Sequence, residues 1–153
     1  MTEDAISIPT DDFVVEARVG CARERIFDAL TTLEGLAAWW TRLVSGTPTA
    51  SGELRFGFSG LDEKIVMRVD KTTPPSTVIW TCLAHTGHPE WQDTEIIFEL
   101  AQHEAGSQLS FRHIGLTPAL SCYETCESGW DHFLTSLLSY AQDGNGSPFS
   151  SER

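Results

Sequence analysis

Basic residues are scarce in this chain of 153 residues, which has ten lysines and arginines against 22 aspartates and glutamates. The formal net charge of −12 gives a surface that repels phosphate backbones and anionic lipid headgroups. We therefore expect neither a nucleic-acid partner nor a membrane partner. A strongly charged surface also keeps a protein in solution, and this role alone can account for the acidity.

Long apolar runs are also missing, and no stretch reaches the length of a bilayer-spanning helix. Residues 1–12 contain acidic side chains and neither the basic stretch nor the apolar core of a secretory signal peptide. We expect a cytoplasmic protein. A chain of this length can bury a core as one domain without disulfides or metals.

Cysteines are few and form no C-x-x-C pair; they are Cys21, Cys82, Cys122 and Cys126. In the cytoplasm thiols stay reduced and behave as small buried hydrophobes, so we expect no disulfide framework. Cys82, His85 and His88 have a metal-like spacing, but no fourth ligand is evident. The two C-terminal cysteines with His132 match no zinc pattern either. The sequence predicts no bound metal and no other cofactor.

The N-terminal part of the chain alternates between strand and helix patterns. Apolar residues at every second position predict a strand over 13–19. An apolar stripe at helical spacing predicts a helix over 22–30. Thr31 and Glu34 have the spacing of a capping box, which predicts a second short helix that begins there and runs to Trp40.

From residue 52 to residue 113 the apolar period changes to two, which is typical of strands. The connections are too short for crossover helices, so we expect sequential antiparallel pairing. The predicted strands are 54–58, 64–70, 77–83, 94–100 and 108–113.

The C-terminal part predicts one long amphipathic helix. Ser121 and Glu124 form a second capping box, and apolar residues then recur every three or four positions as far as Ala141. Gly129 lies inside this helix, where glycine costs about 1 kcal/mol relative to alanine. We therefore expect a close approach of helix and sheet at Gly129 to offset that cost.

A sheet with one apolar face and a helix with one apolar stripe can each bury that side only against a partner. The sequence therefore predicts an α+β domain in which a curved six-stranded antiparallel sheet grips the long C-terminal helix, with two short helices beside it. The predicted boundaries are a flexible N-terminus at 1–12, the domain at 13–142 and a disordered tail at 143–153.

Large side chains on the inward faces predict an apolar cavity between the sheet and the long helix. The residues expected to contact a ligand are Trp39, Trp40, Phe56, Phe58, Trp80, Phe98, Phe111, His113, Trp130 and Leu134. Two alternatives stay open at this point. The aromatic rings can fill the space completely, and His113 can be a core histidine with protein partners.

Four stretches resemble one known family: 25–40 (RIFDALTTLEGLAAWW), 78–80 (VIW), 113–116 (HIGL) and 129–130 (GW). In order and spacing they are similar to the SRPBCC (START-like) superfamily, in the branch related to the activator of the ninety-kilodalton heat-shock protein ATPase. The resemblance covers residues 13–141. It implies a helix-grip fold with the order strand, two helices, five strands and a long helix.

The function expected from the apolar face and the resemblance is binding of a small hydrophobic molecule. One alternative is a polyketide-cyclase-like or hydratase-like enzyme with His113 or Tyr123 as proton donor. Another is a cochaperone-like protein-interaction domain, and homodimer formation is left open. The sequence has no nucleophile elbow, no phosphate loop and no Ser-His-Asp order. No catalytic residues are assigned.

Overall fold

The structure of the protein is a computed structural model, and it describes residues 12–62 and 64–149. A single sheet is combined with three α-helices. In chain order the elements are β1 (Phe13–Val19), α1 (Arg23–Thr31), α2 (Leu33–Trp39), β2 (Leu43–Gly46), β3 (Glu53–Gly57), β4 (Lys64–Thr73), β5 (Thr77–His85), β6 (Glu95–His103), β7 (Gly106–Ile114) and α3 (Tyr123–Asp143). A short 3₁₀ helix, Pro89–Trp91, lies between β5 and β6.

The sheet has the strand order β1-β7-β6-β5-β4-β3-β2, with every neighbouring pair antiparallel. The predicted α+β helix-grip architecture and sequential pairing are therefore confirmed. The sheet has seven strands instead of the six predicted. The additional strand is β2, which has four residues at the sheet edge and no buried apolar face to produce an alternating pattern.

One face of the sheet carries the apolar residues of the core. Phe98 on β6 lies opposite Val78 on β5 and opposite Phe111 on β7, so large side chains form a continuous row across three strands. On the other face Glu99 and Arg112 are exposed. The sheet thus buries mainly the side that faces the helices.

The long helix α3 packs across the concave face with a stripe of buried residues at spacings of three and four: Cys126, Trp130, Leu134, Leu137 and Ala141. It ends at Gly144, which adopts the left-handed conformation with φ 81° and donates its N–H to the Tyr140 carbonyl. Within the described residues, no helix is long and apolar enough to cross a membrane.

Both predicted capping boxes are wrong in detail. Thr31 is still the last residue of α1, and its hydroxyl donates to the Phe27 carbonyl at 2.8 Å. The cap of α2 is Thr32, an extended residue whose hydroxyl oxygen accepts the Gly35 N–H at 3.0 Å. Because Thr31 is still helical, it cannot take the extended conformation of a cap, and the cap of α2 falls one residue later than predicted.

At the start of α3 the cap position is occupied by Cys122, without a side-chain hydrogen bond. The hydroxyl of Ser121, which was predicted to cap this helix, donates instead to the Glu90 carboxylate at 3.0 Å. The loop after β5 is thereby linked to the beginning of α3.

Residues 144–149, called here the C-terminal segment, run back along the domain. The Phe149 N–H donates to the Trp40 carbonyl at 2.6 Å, and the Ser147 N–H donates to the Ser136 hydroxyl at 2.6 Å. The rest of the predicted tail, 150–153, lies outside the described residues, as does the predicted flexible N-terminus apart from Asp12.

Candidate functional site

Aromatic rings fill the centre of the space between the sheet and α3. The ring of Trp130 lies 4.6 Å from that of Phe111, and the ring of Trp40 lies 5.4 Å from Trp130 and 6.0 Å from Trp80, measured between centroids. These side chains are buried. Where the helix crosses the middle of the sheet, the two layers therefore interdigitate.

A cavity of about 170 Å³, called here the end pocket, remains at one end of this layer. Its apolar wall consists mainly of six aromatic side chains: Trp40, Phe58, Trp91, Trp130, Phe133 and Phe149. The polar residues in its lining are His85, His88, Thr125 and Cys126. The loop after β5, the first half of α3 and the C-terminal segment meet there.

The structure brings some of the predicted ligand-contacting residues to this pocket and leaves others away from it. Trp40, Phe58 and Trp130 line it. The others lie in the packed core: Trp39, Phe56, Trp80, Phe98, Phe111, His113 and Leu134. The indole N–H of Trp39, for example, donates to the Ala29 carbonyl at 2.8 Å and so fixes α2 on α1.

His113 is completely buried and uses both ring nitrogens for protein contacts. The Trp130 indole N–H donates to Nδ1 at 3.0 Å, so the proton of the neutral ring lies on Nε2, which contacts the Thr94 hydroxyl at 2.9 Å. That hydroxyl donates in turn to the Trp91 carbonyl at 2.6 Å. Burial, with a smaller effect of His85, lowers the pKa of His113 from 6.5 to about 3. His113 thus has the geometry of a core histidine that joins β7 to α3.

His85 is a second buried histidine, at the end of β5 and in the wall of the end pocket. Its Nδ1 accepts the N–H groups of Gly87 at 3.2 Å and of His88 at 3.0 Å, so it shapes the turn that follows the strand. Burial, and then the nearby His88, lower the pKa of His85 to about 4. At neutral pH the ring is uncharged, so it offers the pocket no cation.

The loop after β5 and Phe149 were not among the residues predicted to contact a ligand. The loop was recognised only as irregular, yet His85, His88 and Trp91 recur at every third position. Rings spaced in this way before and within a 3₁₀ turn can share one side of the chain, because that helix has three residues per turn. This spacing is the signal that could have indicated the loop.

Gly129 does not make the close contact that its position in the helix predicted. A Cβ atom built there meets no atom within 4 Å, and Gly129 lies in the wall of the end pocket. The expectation of close packing against the sheet is therefore wrong. The missing side chain leaves open space beside the cavity.

Three potential metal ligands also come together beside the pocket. His88, Cys122 and Cys126 present one nitrogen and two sulfur atoms that all lie within 4.8 Å of one another. The two groups of possible metal ligands noted in the sequence did not combine these three residues, because His88 and the two cysteines belong to different segments of the chain.

Known proteins resemble this chain both in sequence and in fold. Residues 21–142 match the family described as Activator of Hsp90 ATPase homolog 1-like protein. The solution structure of the Aha1 dimer from Colwellia psychrerythraea is 30% identical with a TM-score of 0.75, covering 88% of this chain and 98% of that one.

Two further structures show the fold alone, because their identities are low. DynU16, described as a putative protein in the dynemicin biosynthetic locus, is 19% identical with a TM-score of 0.73, covering 90% of this chain and 49% of that one. CalU16 from Micromonospora echinospora is 18% identical with a TM-score of 0.68, covering 89% and 76%. The predicted resemblance is confirmed: the chain belongs to the Activator of Hsp90 ATPase homolog 1-like family, within the SRPBCC superfamily.

Proposed function

We propose that the domain binds a small, uncharged and mostly apolar molecule of about one ring in the end pocket. The observation that carries this proposal is the aromatic-walled cavity of about 170 Å³. An apolar cavity of about 150 Å³ is enough to hold benzene, whereas pockets for drug-sized ligands measure about 300–1,000 Å³. The volume thus favours a single-ring guest over a whole lipid chain or polyketide.

The chemistry of the wall supports a guest with at most one or two polar atoms. Most of the wall is aromatic, and its polar residues are limited to His85, His88, Thr125 and Cys126. The uncharged ring of His85 and the net charge of −12 give an anionic guest no favourable partner. Phenol combines the expected size and polarity, and indole, with two fused rings, tests the upper limit of size.

The test measures binding of phenol, indole and toluene by ligand-observed NMR, in buffer that contains a strong chelator. The Gly129→Leu variant introduces a side chain into the open space beside the cavity. Because that side chain occupies volume that the guest needs, we expect it to weaken binding by about tenfold or more, which corresponds to about 1.4 kcal/mol.

Ser128→Leu is the matched control, since it adds the same side chain at the adjacent, exposed position of α3. This variant should bind like the parent protein, and both variants should keep the parent circular dichroism spectrum. Absence of binding by the parent protein, or equal binding by Gly129→Leu, would show that the end pocket is not a ligand site.

Self-association is a second candidate, and it is favoured by the dimer named for the Colwellia psychrerythraea relative. Each edge of the sheet carries an exposed apolar residue, Val14 on β1 at 49% and Leu43 on β2 at 53%. Sedimentation velocity over a wide concentration range tests this candidate, with Val14→Glu and Leu43→Glu as variants. A dimer that one of the two variants dissociates supports it, and a monomer at every concentration contradicts it.

A further inference from the structure

Two segments that are far apart in sequence place metal-binding side chains at the edge of the end pocket. His88 belongs to the loop after β5, Cys122 precedes α3, and Cys126 lies one turn into that helix. Their ligand atoms are all within 4.8 Å of one another. In a tetrahedral zinc site, with bonds of about 2.0–2.3 Å, ligand atoms lie about 3.3–3.8 Å apart. A contraction of about 1 Å would complete that arrangement.

We propose that His88, Cys122 and Cys126 bind a thiophilic metal ion, and that zinc(II) is the ion that this ligand set fits. Two thiolates cancel the charge of the ion and the imidazole binds as the neutral ring, so the complex carries no net charge. A neutral complex suits these surroundings, because both cysteines are buried. Binding displaces two thiol protons to solvent and changes no oxidation state.

Two sets of contacts favour the proposed site, one at a ligand sulfur and one that holds the two segments together. The Trp91 indole N–H donates to the Cys126 sulfur at 3.1 Å, a contact that a thiolate accepts more strongly than a thiol. Glu90 accepts the Ser121 hydroxyl and backbone N–H, at 3.0 and 3.4 Å. These bonds hold the loop that carries His88 against the start of α3, so the ligands from the two segments keep their relative positions.

Protons compete with the metal at this cluster. Burial, followed by the hydrogen bond with Cys122, raises the pKa of the Cys126 thiol to about 12. The charges of Cys122 and Glu90 act in the same direction, and the Trp91 N–H acts in the opposite one. The ion must therefore displace tightly held protons. Metal affinity should rise with pH through the neutral range.

The three side chains supply three of the four ligands of a tetrahedral zinc site. His88 and Cys126 also line the end pocket, so the proposed metal site borders the cavity. Zinc sites with three protein ligands use the fourth position for water or another small ligand. The metal site does not require the pocket to bind an apolar guest.

The test uses the whole chain without an affinity tag, reduced with a phosphine and treated with a chelator that is then removed. Cobalt(II) is titrated as a spectroscopic probe and zinc(II) is added to displace it. We expect one cobalt ion per chain, a sulfur-to-cobalt charge-transfer band and the visible bands of tetrahedral cobalt. Zinc(II) should remove all of these signals.

Cys122→Ser, Cys126→Ser and His88→Gln should each weaken cobalt binding about 100-fold or more, because loss of a second-shell contact alone costs about 10–100-fold. Cys21→Ser is the matched control, since Cys21 and Cys122 are both 7% exposed and Cys21 is not part of the cluster. The control should bind like the parent protein.

Circular dichroism of each metal-free variant shows whether it is folded. His88 is only half-buried, so His88→Gln removes a ligand and leaves both buried thiols in place. Absence of the charge-transfer band in the folded parent protein would overturn the proposal. The proposal would also be overturned if the folded single variants His88→Gln and Cys126→Ser both bound cobalt(II) as tightly as the parent protein. The guest-binding assay runs in chelator, so its result is independent of this one.

Discussion

Among single residues, His113 has the environment with the clearest consequence for stability. Its folded-state pKa of about 3 lies below the ordinary value of 6.5, so between these values the unfolded chain binds more protons than the folded one. The contribution of His113 is complete above about pH 6.5 and is lost as the pH falls toward 3. In that window it decreases by about 1.4 kcal/mol per pH unit.

We expect His113→Gln to be less stable than the parent protein at pH 7 and the difference to shrink steadily on acidification. Urea unfolding at several pH values between 7 and 4 measures both proteins. Val78→Ala serves as the control, because it weakens the core without removing a titrating group and its deficit should not vary with pH. A deficit of His113→Gln that stays constant would contradict the proposed environment.

Sequence could identify His113 as an inward residue but could not decide its role. Strand alternation placed it beside Phe111, and this placement is correct. Its partners Thr94 and Trp130 come from other elements, and such contacts depend on how the helix is seated on the sheet. The same reason explains why Trp40 and Trp130 could be predicted as inward residues, while the position of the cavity could not.

At the scale of elements, the cap of α2 separates two adjacent threonines with different roles. Thr32 accepts the Gly35 N–H, whereas Thr31 only donates to a carbonyl of its own helix. We expect Thr32→Ala to lower the free energy of unfolding by about 1 kcal/mol, the usual cost of a lost cap. Thr31→Ala should cost less than about 0.5 kcal/mol. Equal losses in urea unfolding would show that the cap is not at Thr32.

The C-terminal segment behaves as an element of the domain, although it has no regular structure. The Phe149 ring packs edge-on against Phe58 at 5.2 Å, beside its backbone contact to Trp40. We expect Phe149→Ala to lose about 1–2 kcal/mol in thermal or urea unfolding, because the ring is half-buried. Asn145→Ala, at an exposed position of the same segment, should change stability by less than about 0.5 kcal/mol. An equal effect of the two would contradict the packing role.

Elements with a strong apolar period could be predicted and those without one could not. The long helix and the central strands each bury one face, so their sequences repeat with the period of the element. The edge strand β2 buries no such face, and the loop after β5 gets its shape from hydrogen bonds to His85. Neither leaves a periodic pattern in the sequence.

For the whole molecule, the architecture could be predicted from the sequence, because few arrangements bury both one apolar sheet face and one apolar helix stripe. The end pocket could not be predicted from the sequence, since the segments that line it are far apart along the chain and meet only when it folds. One of them is the C-terminal segment, whose sequence of glycine, serine and asparagine indicated a disordered tail. Phe149 and the Ser147 backbone N–H attach that segment to the domain.

The charge of the whole chain gives a last prediction. A net charge of −12 on one domain places like charges near one another, and this repulsion is relieved when the chain unfolds. Sodium chloride screens it, because the Debye length falls to about 10 Å at 0.1 M. We expect the melting temperature to rise by about 2–4 °C between low salt and moderate salt, which corresponds to about 1 kcal/mol.

The variant Glu99→Gln with Asp131→Asn tests the cause, because both residues are exposed and the pair removes two negative charges. If repulsion sets the salt response, this double variant should melt higher than the parent protein at low salt, and the gap should close as salt is added. A melting temperature that falls with salt, or a response that is identical in both proteins, would mean that local ion pairs outweigh the net charge. Differential scanning calorimetry of both proteins across the same salt series distinguishes these results.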